Sequence, residues 1–513
     1  MPTETAPTTL RPHTLVASIL APTTEGAVAA LGRLPSEVGL AEVRLDGLWP
    51  AVPEADRATD DLLAIADAAR VPLLATLRPK RQGGKFEGAE QVRLGLLQTA
   101  LRAGFAFADL EMDGLDASGR MGLLRQDGGV VASSHWPDTP CRSDGLNALL
   151  QMQDLSAAYD KLAFTAGAFP DLLRAFELTR THAERGGHPS VSTLVHGGAA
   201  TRALLALVGN RATYGAAPGL PPAAPGQPAA ADIAALWRHW GLGPKDLDLC
   251  AASPGPWLAV LGAPVDHSLS PRIHNAALRA ANRRERYGAL EVPASASALR
   301  LFLHVAPRIG MVGASVTAPH KVDAARASQG DASVQRTGAA NCLRWQGEAV
   351  HSTNTDFSAL KRLLAPHVAV GDPALVLGSG GSARAAIAAL QDLGARVAFT
   401  SRDPARADAV AKATGTIWVP WGQREHAKPK VVVQATPLGA QSSDAAPFSA
   451  AGLKVAVELV YANGPTRFQT DAETAGATVI GGRQVLVAQA EDAYRFWFGT
   501  APDVPAMTAA LEG

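Results

Sequence analysis

The residue with most chemistry to offer in this chain is Lys161, a lone lysine in the apolar run DKLAFTAG. Burial strips hydration from an ammonium and favours the neutral amine, the form that attacks a ketone to give an imine. The alternative is a lysine whose stem is buried while its head reaches solvent at the strand end. A second cluster is GSGGSARA, directly after the apolar run ALVL. Gly378, Gly380 and Ala383 fit G-x-G-x-x-A, with Ser379, Gly381 and Ser382 between them. Small residues there permit a tight turn, close approach of a pyrophosphate and close packing of the following helix. The next apolar run ends in Thr400, Ser401 and Arg402, where NAD sites place an acid against the ribose 2′-hydroxyl. Arg402 and Arg406 offer instead positive charge and planar donors suited to a 2′-phosphate. The expected cofactor is NADP, the alternative being two solvated surface arginines.

These groups need scaffolds to hold them. Eight short apolar runs begin at Thr14, Leu40, Val71, Phe105, Gly129, Asp160, Val191 and Ala212, with helix-like segments between them. That alternation predicts an α/β fold of (β/α)8 barrel type, whose reactive groups gather at the C-terminal strand ends. Glu42 and Arg44 lie near the end of the second run, Arg78 of the third, Glu111 of the fourth, His135 of the fifth and Lys161 in the sixth. A doubly wound sheet is the alternative, and it requires a reversal of strand order. The stretch AAPGLPPAAPGQPAA from Ala216 reads by composition as a flexible or extended linker. A stronger boundary falls at Ser253 to Pro256, after which a new α/β pattern starts at Trp257 with a helix beginning near Ser270 and Pro271.

At 513 residues the chain suits two or three domains. Its 47 Lys plus Arg balance 47 Asp plus Glu, so no net field draws it to nucleic acid or an anionic membrane, and small molecules are the expected partners. Cys141, Cys250 and Cys342 lie far apart, without the spacing of a disulfide framework or a metal site. The opening residues lack an apolar core and no later apolar run is long enough to span a bilayer, so a cytoplasmic location is expected. Whether the chain is a monomer or a homodimer is left open by the sequence.

Taken in order, the motifs resemble two known families. EVRLD at Glu42, TLRPK at Thr76, DLE at Asp109, SSHW at Ser133, DKLAF at Asp160, ATR at Ala200 and APGQ at Ala224 resemble type I 3-dehydroquinate dehydratase. GAPVDHSLSPRIHN at Gly262, GASVTAPHK at Gly313, GAANCL at Gly338, NTD at Asn354, GSGGSARA at Gly378, TSR at Thr400, ATPLGA at Ala435, VYANGPT at Val460 and QVLVAQAEDAYRFW at Gln484 resemble shikimate dehydrogenase. The resemblance implies a fused bifunctional enzyme of the shikimate pathway. It implies a dehydratase barrel over 1–240, a linker over 241–256 and a two-lobed dehydrogenase over 257–513. In the latter, a substrate lobe at 257–357 is completed by helices at 483–513, and a Rossmann NADP-binding lobe occupies 358–482.

The resemblance also implies roles. Lys161 would form an imine with the C3 ketone of 3-dehydroquinate, and His135 would move the C2 proton and protonate the departing hydroxyl, giving 3-dehydroshikimate. Arg202 would hold the substrate carboxylate, while Glu42, Arg44, Arg78 and Gln227 would hold hydroxyls or shape the site, with the Pro-rich stretch as a lid. Ser268, Ser270 and Tyr461 would bind the carboxylate of shikimate, and Thr317, Asn341 and Gln489 its ring hydroxyls. Lys321 and Asp356 would be the catalytic pair, with Thr436 beside the glycine-rich turn, Ser401, Arg402 and Arg406 in the cofactor site. His267, His274 and His320 read as packing or hydrogen-bonding residues. The chain departs from the families' patterns at Gln82, where a glutamate is usual, at Ala223 for serine, at Ser315 for asparagine and at Pro437 for serine. The first two bear on the dehydratase, and leave open a quinate or shikimate dehydrogenase with a weak or structural barrel.

Overall fold

A computed structural model describes residues 10–113, 116–138, 141, 144–439, 444–461 and 464–512. The motifs at Ala435 and Val460 therefore run partly outside the described residues. The chain divides into two compact units after Trp257, with the short segments Arg284–Leu290 and Arg308–Gly310 grouped with the first.

The first unit is built on eight parallel strands: β1 (Thr14–Ile19), β2 (Val38–Arg44), β3 (Leu73–Thr76), β4 (Phe107–Glu111), β5 (Gly129–Trp136), β6 (Asp160–Ala166), β7 (Pro189–Val195) and β8 (Ala212–Ala216). Their order, β7-β6-β5-β4-β3-β2-β1-β8, follows the chain except that β8 lies beside β1. This is the barrel that the spacing predicts. The seam between β7 and β8 is stapled by side chains: Ser190 Oγ donates to the Ala212 carbonyl at 2.9 Å, and the Asn210 amide spans Val191 and Ala212.

Strand period positions the site. Val16, Leu40, Leu74, Phe107, Val131 and Tyr159 form one buried apolar cluster with Ala212 and Tyr214. Two residues further along the same strands stand Ser18, Glu42, Thr76, Asp109, Ser133 and Lys161, all buried. Because alternate residues of a strand share a face, the interior passes in one step from an apolar floor to a polar layer. A further step of two residues reaches Arg44 at the end of β2, Arg78 just past β3 and His135 on β5. The barrel interior is a stack of such layers, with the reactive one at the C-terminal end.

Two segments differ from a linker reading. The Pro-rich stretch folds back on the barrel: Ala217 N donates to the Ser18 carbonyl, Ala216 bridges to Ala229, and Gln227 Nε2 donates to Ser18 Oγ at 3.1 Å. Within 241–256, Pro244–Ala252 is a helix. Its proline sits in the first turn, where no N–H is needed, Asp246 accepts the Gly243 N–H at 2.9 Å, and Leu247 and Cys250 are buried.

In the second unit, antiparallel strands Met311–Val316, Cys342–Gln346 and Ala349–Thr353 carry the motifs around Thr317, Asn341 and Asp356. A separate parallel sheet runs Ile417–Pro420, Arg396–Ser401, Pro373–Leu377, Val431–Gln434, Val455–Glu458, Thr478–Ile480. Its order reverses between Pro373–Leu377 and Val431–Gln434, the place where doubly wound sheets open a ligand crevice. Ala383, Ala386, Ile387 and Leu390 of helix Gly381–Asp392 pack with Val376, Phe399, Val431 and Val433 in one core. Among the described residues, no helix is long and apolar enough to cross a membrane.

Candidate functional sites

In the barrel, Lys161 Nζ donates to Glu42 Oε1 at 2.8 Å and to Asp109 Oδ2 at 2.9 Å, and it lies 4.1 Å over the Tyr214 ring. The lysine is buried, so its head does not reach bulk solvent as the alternative reading had it. Nor is it an amine isolated in apolar surroundings, as burial alone suggested: two carboxylates flank it. Arg78 Nη2 donates to Asp109 Oδ2 at 3.2 Å, Ser133 Oγ to Asp109 Oδ1 at 2.5 Å, Ser18 Oγ to Glu42 Oε2 at 2.6 Å and Thr76 Oγ1 to Glu42 Oε1 at 3.0 Å. Burial works to raise both carboxyls, but Lys161, Arg44 and Arg78 outweigh it at Glu42, and Lys161 and Arg78 at Asp109, bringing each to about 2.

His135 and Lys161 line a cavity of about 90 Å³ with Glu42, Arg44, Arg78, Gln82, Arg202, Tyr214, Ala223 and Gln227. Burial, then Arg78 and Lys161, hold the His135 imidazole well below its ordinary value, so the ring is neutral and able to accept a proton. Among the described residues its Nδ1 has no hydrogen-bond partner. Gln82 touches the histidine through the backbone: its Oε1 accepts the His135 N–H at 3.0 Å. Ala223 contributes main-chain atoms, with its N–H donating to Gln227 Oε1 at 2.8 Å and its carbonyl accepting from Arg44 Nη1 at 3.0 Å. Arg44 is itself forked onto Asp46 at 2.9 and 2.8 Å.

Arg202 differs from the other buried arginines. Among the described residues it donates to the carbonyls of Tyr214 at 2.8 Å and Thr193 at 3.0 Å, and to Ser192 Oγ at 3.4 Å. With no carboxylate beside it, burial lowers its guanidinium to about 10. A buried cation served only by neutral dipoles is a receptor for an anion. Glu111 stands apart from this cavity. Arg93 Nη1 donates to its Oε2 at 2.6 Å, and burial raises its carboxyl. Asp109 was the sequence reading's omission. Its signal was there, since Phe107, Asp109 and Glu111 alternate on one face of β4.

In the second unit a cavity of about 480 Å³ is lined by His267, Ser268, Ser270, Thr317, Lys321, Asn341, Asp356, Tyr461 and Gln489. Lys321 Nζ donates to Asp356 Oδ2 at 2.5 Å and to Ser382 Oγ at 2.9 Å. Asn354 caps the helix that carries Asp356 by accepting the Phe357 N–H at 3.0 Å. Asn341 Nδ2 donates to Asp356 Oδ1 at 2.9 Å, and Asn341 Oδ1 accepts the Thr355 N–H at 2.7 Å. Gln489 Oε1 accepts from Thr355 Oγ1 at 3.3 Å. Burial raises the Tyr461 hydroxyl, with Ser268 hydrogen-bonded to it. Of the three histidines expected to pack or hydrogen-bond, His320 Nε2 lies 2.9 Å from the Val292 carbonyl and His274 is buried 5.0 Å from the Trp497 ring.

A second cavity, about 870 Å³, shares Thr317, Lys321, Ser382 and Pro437 with the first and extends over Gly378, Ser379, Gly380, Gly381, Ser401, Arg402, Arg406 and Thr436. Ala383 is buried beneath it. Gly378 has φ +128°, and a Cβ there would stand 2.9 Å from the Ala435 carbonyl. Gly380 caps helix Gly381–Asp392 without any side chain, leaving its first N–H groups to an anion. Ser379 Oγ and Ser401 Oγ are 3.0 Å apart. Arg402 and Arg406 stand at the cavity wall; Asp403 is the acid nearest Arg406, with its Oδ2 3.3 Å from Arg406 Nε. The residues present fit a dinucleotide bearing a 2′-phosphate.

Known proteins match both units of the chain. The family model "Type I 3-dehydroquinase" matches residues 15–242, the "Shikimate dehydrogenase substrate binding domain" 260–343 and the "Shikimate 5'-dehydrogenase C-terminal domain" 482–512. Shikimate dehydrogenase (NADP(+)) of Halobacterium salinarum is 39% identical over 260 residues, 49% of this chain and 97% of that protein. The chloroplastic bifunctional 3-dehydroquinate dehydratase/shikimate dehydrogenase of Arabidopsis thaliana is 28% identical over 498 residues, 90% of this chain and 77% of that protein. The crystal structure of shikimate 5-dehydrogenase from Thermus thermophilus in complex with NADP(H) and shikimate is 33% identical, covering 50% of this chain and 98% of that one, with a TM-score of 0.45. The chain belongs to the shikimate dehydrogenase family and carries, in the same polypeptide, a type I 3-dehydroquinase domain.

Proposed function

We propose that the protein is a bifunctional enzyme that dehydrates 3-dehydroquinate to 3-dehydroshikimate in the barrel and reduces that product to shikimate with NADPH in the second unit, acting in the cytoplasm on small molecules. The observation that carries the reading is a pair of differently built lysine sites in one chain. Lys161 is enclosed between two carboxylates, and Lys321 lines both large cavities of its unit, where a substrate and a dinucleotide would meet.

In the barrel, Arg202 takes the substrate carboxylate and orients the C3 ketone toward Lys161. The neutral His135 accepts a proton from the Lys161 ammonium, the freed amine adds to C3, and the imidazolium returns the proton to the departing carbinolamine hydroxyl, so that loss of water leaves the protonated imine and a neutral histidine. That imine is an electron sink, so the neutral His135 removes the C2 proton. The resulting imidazolium protonates the C1 hydroxyl, which leaves as water and forms the C1–C2 double bond. Hydrolysis of the imine restores Lys161, and one water is lost overall. Arg44 and Gln227 hold the lid segment through Ala223, and Arg78 steadies Asp109.

In the second unit, Ser268, Ser270 and Tyr461 receive the carboxylate, and Thr317, Asn341 and Gln489 the hydroxyls. NADPH, when bound, supplies a hydride to the C3 carbonyl carbon. Lys321 donates the proton to the C3 oxygen, and Asp356, fixed by Asn341, aims the ammonium. Gly378, Ser379, Gly380, Gly381, Ser382, Ala383 and Thr436 shape the pyrophosphate turn, and Ser401, Arg402 and Arg406 take the 2′-phosphate.

The test is sequential. Purified protein given 3-dehydroquinate alone should generate the absorbance of an enone, and later addition of NADPH should be followed by loss of nicotinamide absorbance. Oxidoreduction of shikimate without any enone from 3-dehydroquinate would leave the barrel a structural module and refute the bifunctional reading.

A further inference from the structure

We propose that Trp421 is the base-stacking wall of the cofactor site, holding the adenine of the dinucleotide against an aromatic face. The proposal rests on the NADP reading above and adds a binding residue that neither the glycine-rich turn nor the arginines supply. Strand Ile417–Pro420 runs parallel to Arg396–Ser401 with Pro420 level with Ser401. The next residue of each strand, Trp421 and Arg402, therefore emerges at the same C-terminal edge. Both line the 870 Å³ cavity, together with Arg406 and Ala409.

The indole is held in place. It packs against the apolar cluster of Leu377, Val432, Phe448 and Phe468. The Arg424 guanidinium lies over one face of the ring, 4.5 Å from its centroid, so the opposite face is the one a base would take. Arg424 is itself tied down, with Nε donating to the Pro447 carbonyl at 2.8 Å and Nη1 to the Trp421 carbonyl at 2.9 Å. An aromatic ring fixed before binding gives up little side-chain freedom when a base stacks on it. Core filling accounts for the packing against that cluster, but not for a tryptophan lining a nucleotide-sized cleft beside two arginines. A division of labour follows. Adenine is common to NADP and NAD, so Trp421 sets affinity for both, whereas Arg402 meets only the 2′-phosphate and sets the choice between them.

The test is calorimetric titration of the full chain with 2′,5′-ADP, NADP and NAD. Trp421→Leu keeps apolar bulk against the core and removes the π face. It should weaken 2′,5′-ADP by about 10-fold or more, leave the ratio of NADP to NAD affinity near the wild-type value, and be largely reversed in Trp421→Phe. A second readout needs only the conservative variant: 2′,5′-ADP should quench part of the wild-type indole emission, and Trp421→Phe should bind while losing that quench. Unchanged 2′,5′-ADP affinity in a folded Trp421→Leu, or an undiminished quench in Trp421→Phe, overturns the stacking. A wild-type chain that binds neither 2′,5′-ADP nor NADP overturns the cofactor reading itself.

Discussion

The barrel and the dehydrogenase unit each rest on a lysine beside a carboxylate, yet they handle charge in opposite ways. Side-chain exposure is 8% for Lys161, 3% for Glu42 and 0% for Asp109, around a cavity of about 90 Å³. Lys321 and Asp356 each keep 13%, between cavities of about 480 and 870 Å³. Charges withdrawn that far from water must be balanced by one another, so the barrel comes with Lys161, Arg78, Glu42 and Asp109 already interlocked. Among the described residues Arg202 has neutral partners alone. The open cleft holds its ion pairs apart, Lys321 with Asp356 and Arg406 with Asp403, rather than in one interlocked network.

The largest effect should come from Lys161→Ala, which removes the nucleophile and should lower dehydration by at least about 10³-fold. Oxidation of shikimate should be untouched. Borohydride with 3-dehydroquinate should add a stable adduct at Lys161 of the unaltered chain, read by peptide mass. An adduct on another lysine would break the contrast between the two sites. The mirror experiment, Lys321→Ala, should cut shikimate oxidation by about 10²-fold with dehydration intact. If both activities fell together in a folded protein, the two lysines would not be separate centres.

Next in size is Arg402→Ala, which removes a charge-assisted contact and should raise KM for NADP by about 10-fold or more while KM for NAD changes little. Arg406 should matter less, because Asp403 lies 3.3 Å from its guanidinium. Equal use of NAD and NADP by the unaltered protein would remove the role given to both arginines.

Much of this was readable from residue spacing, and what was not has physical causes. Eight strands with helices between them show in the alternation of apolar runs, and the layer at Glu42, Ser133 and Lys161 follows from a period of two. Asp109 obeys the same period and went unread because a lone Asp in a strand resembles any buried acid until its partner is seen. Glu111 shares its face but pairs with Arg93 from a neighbouring helix rather than with Lys161. The Pro-rich stretch has the composition of a linker, and its bonds to Ser18, Arg44 and Val195 reveal that it is pinned to the barrel. Trp421 carries no motif, since its position depends on the pairing of Pro420 with Ser401.

The smallest expected effect sharpens the comparison most, because it adds a charge to the site already richest in them. Gln82 sits where a glutamate is usual and spends its oxygen on the His135 backbone N–H. A carboxylate in Gln82→Glu could keep that bond, since the acceptor is unchanged in position and stronger in charge. It would also oppose Arg78 and Lys161, the cations that help hold His135 well below its ordinary value. The sign follows: in the unaltered chain His135 stays neutral through the range below 6.5, so the acidic limb of kcat/KM for dehydration should lie well under that pH. In Gln82→Glu the imidazolium is favoured, and the limb should move toward neutrality. The same change helps the step in which the imidazolium protonates the leaving hydroxyl, for a gain of about 3- to 10-fold in kcat near neutral pH. A shifted limb with no gain in kcat would mean that proton removal at C2, the step that needs a neutral ring, governs the rate. An unmoved limb would mean that the carboxylate reaches only the backbone of His135, and that glutamine at this position costs the barrel nothing.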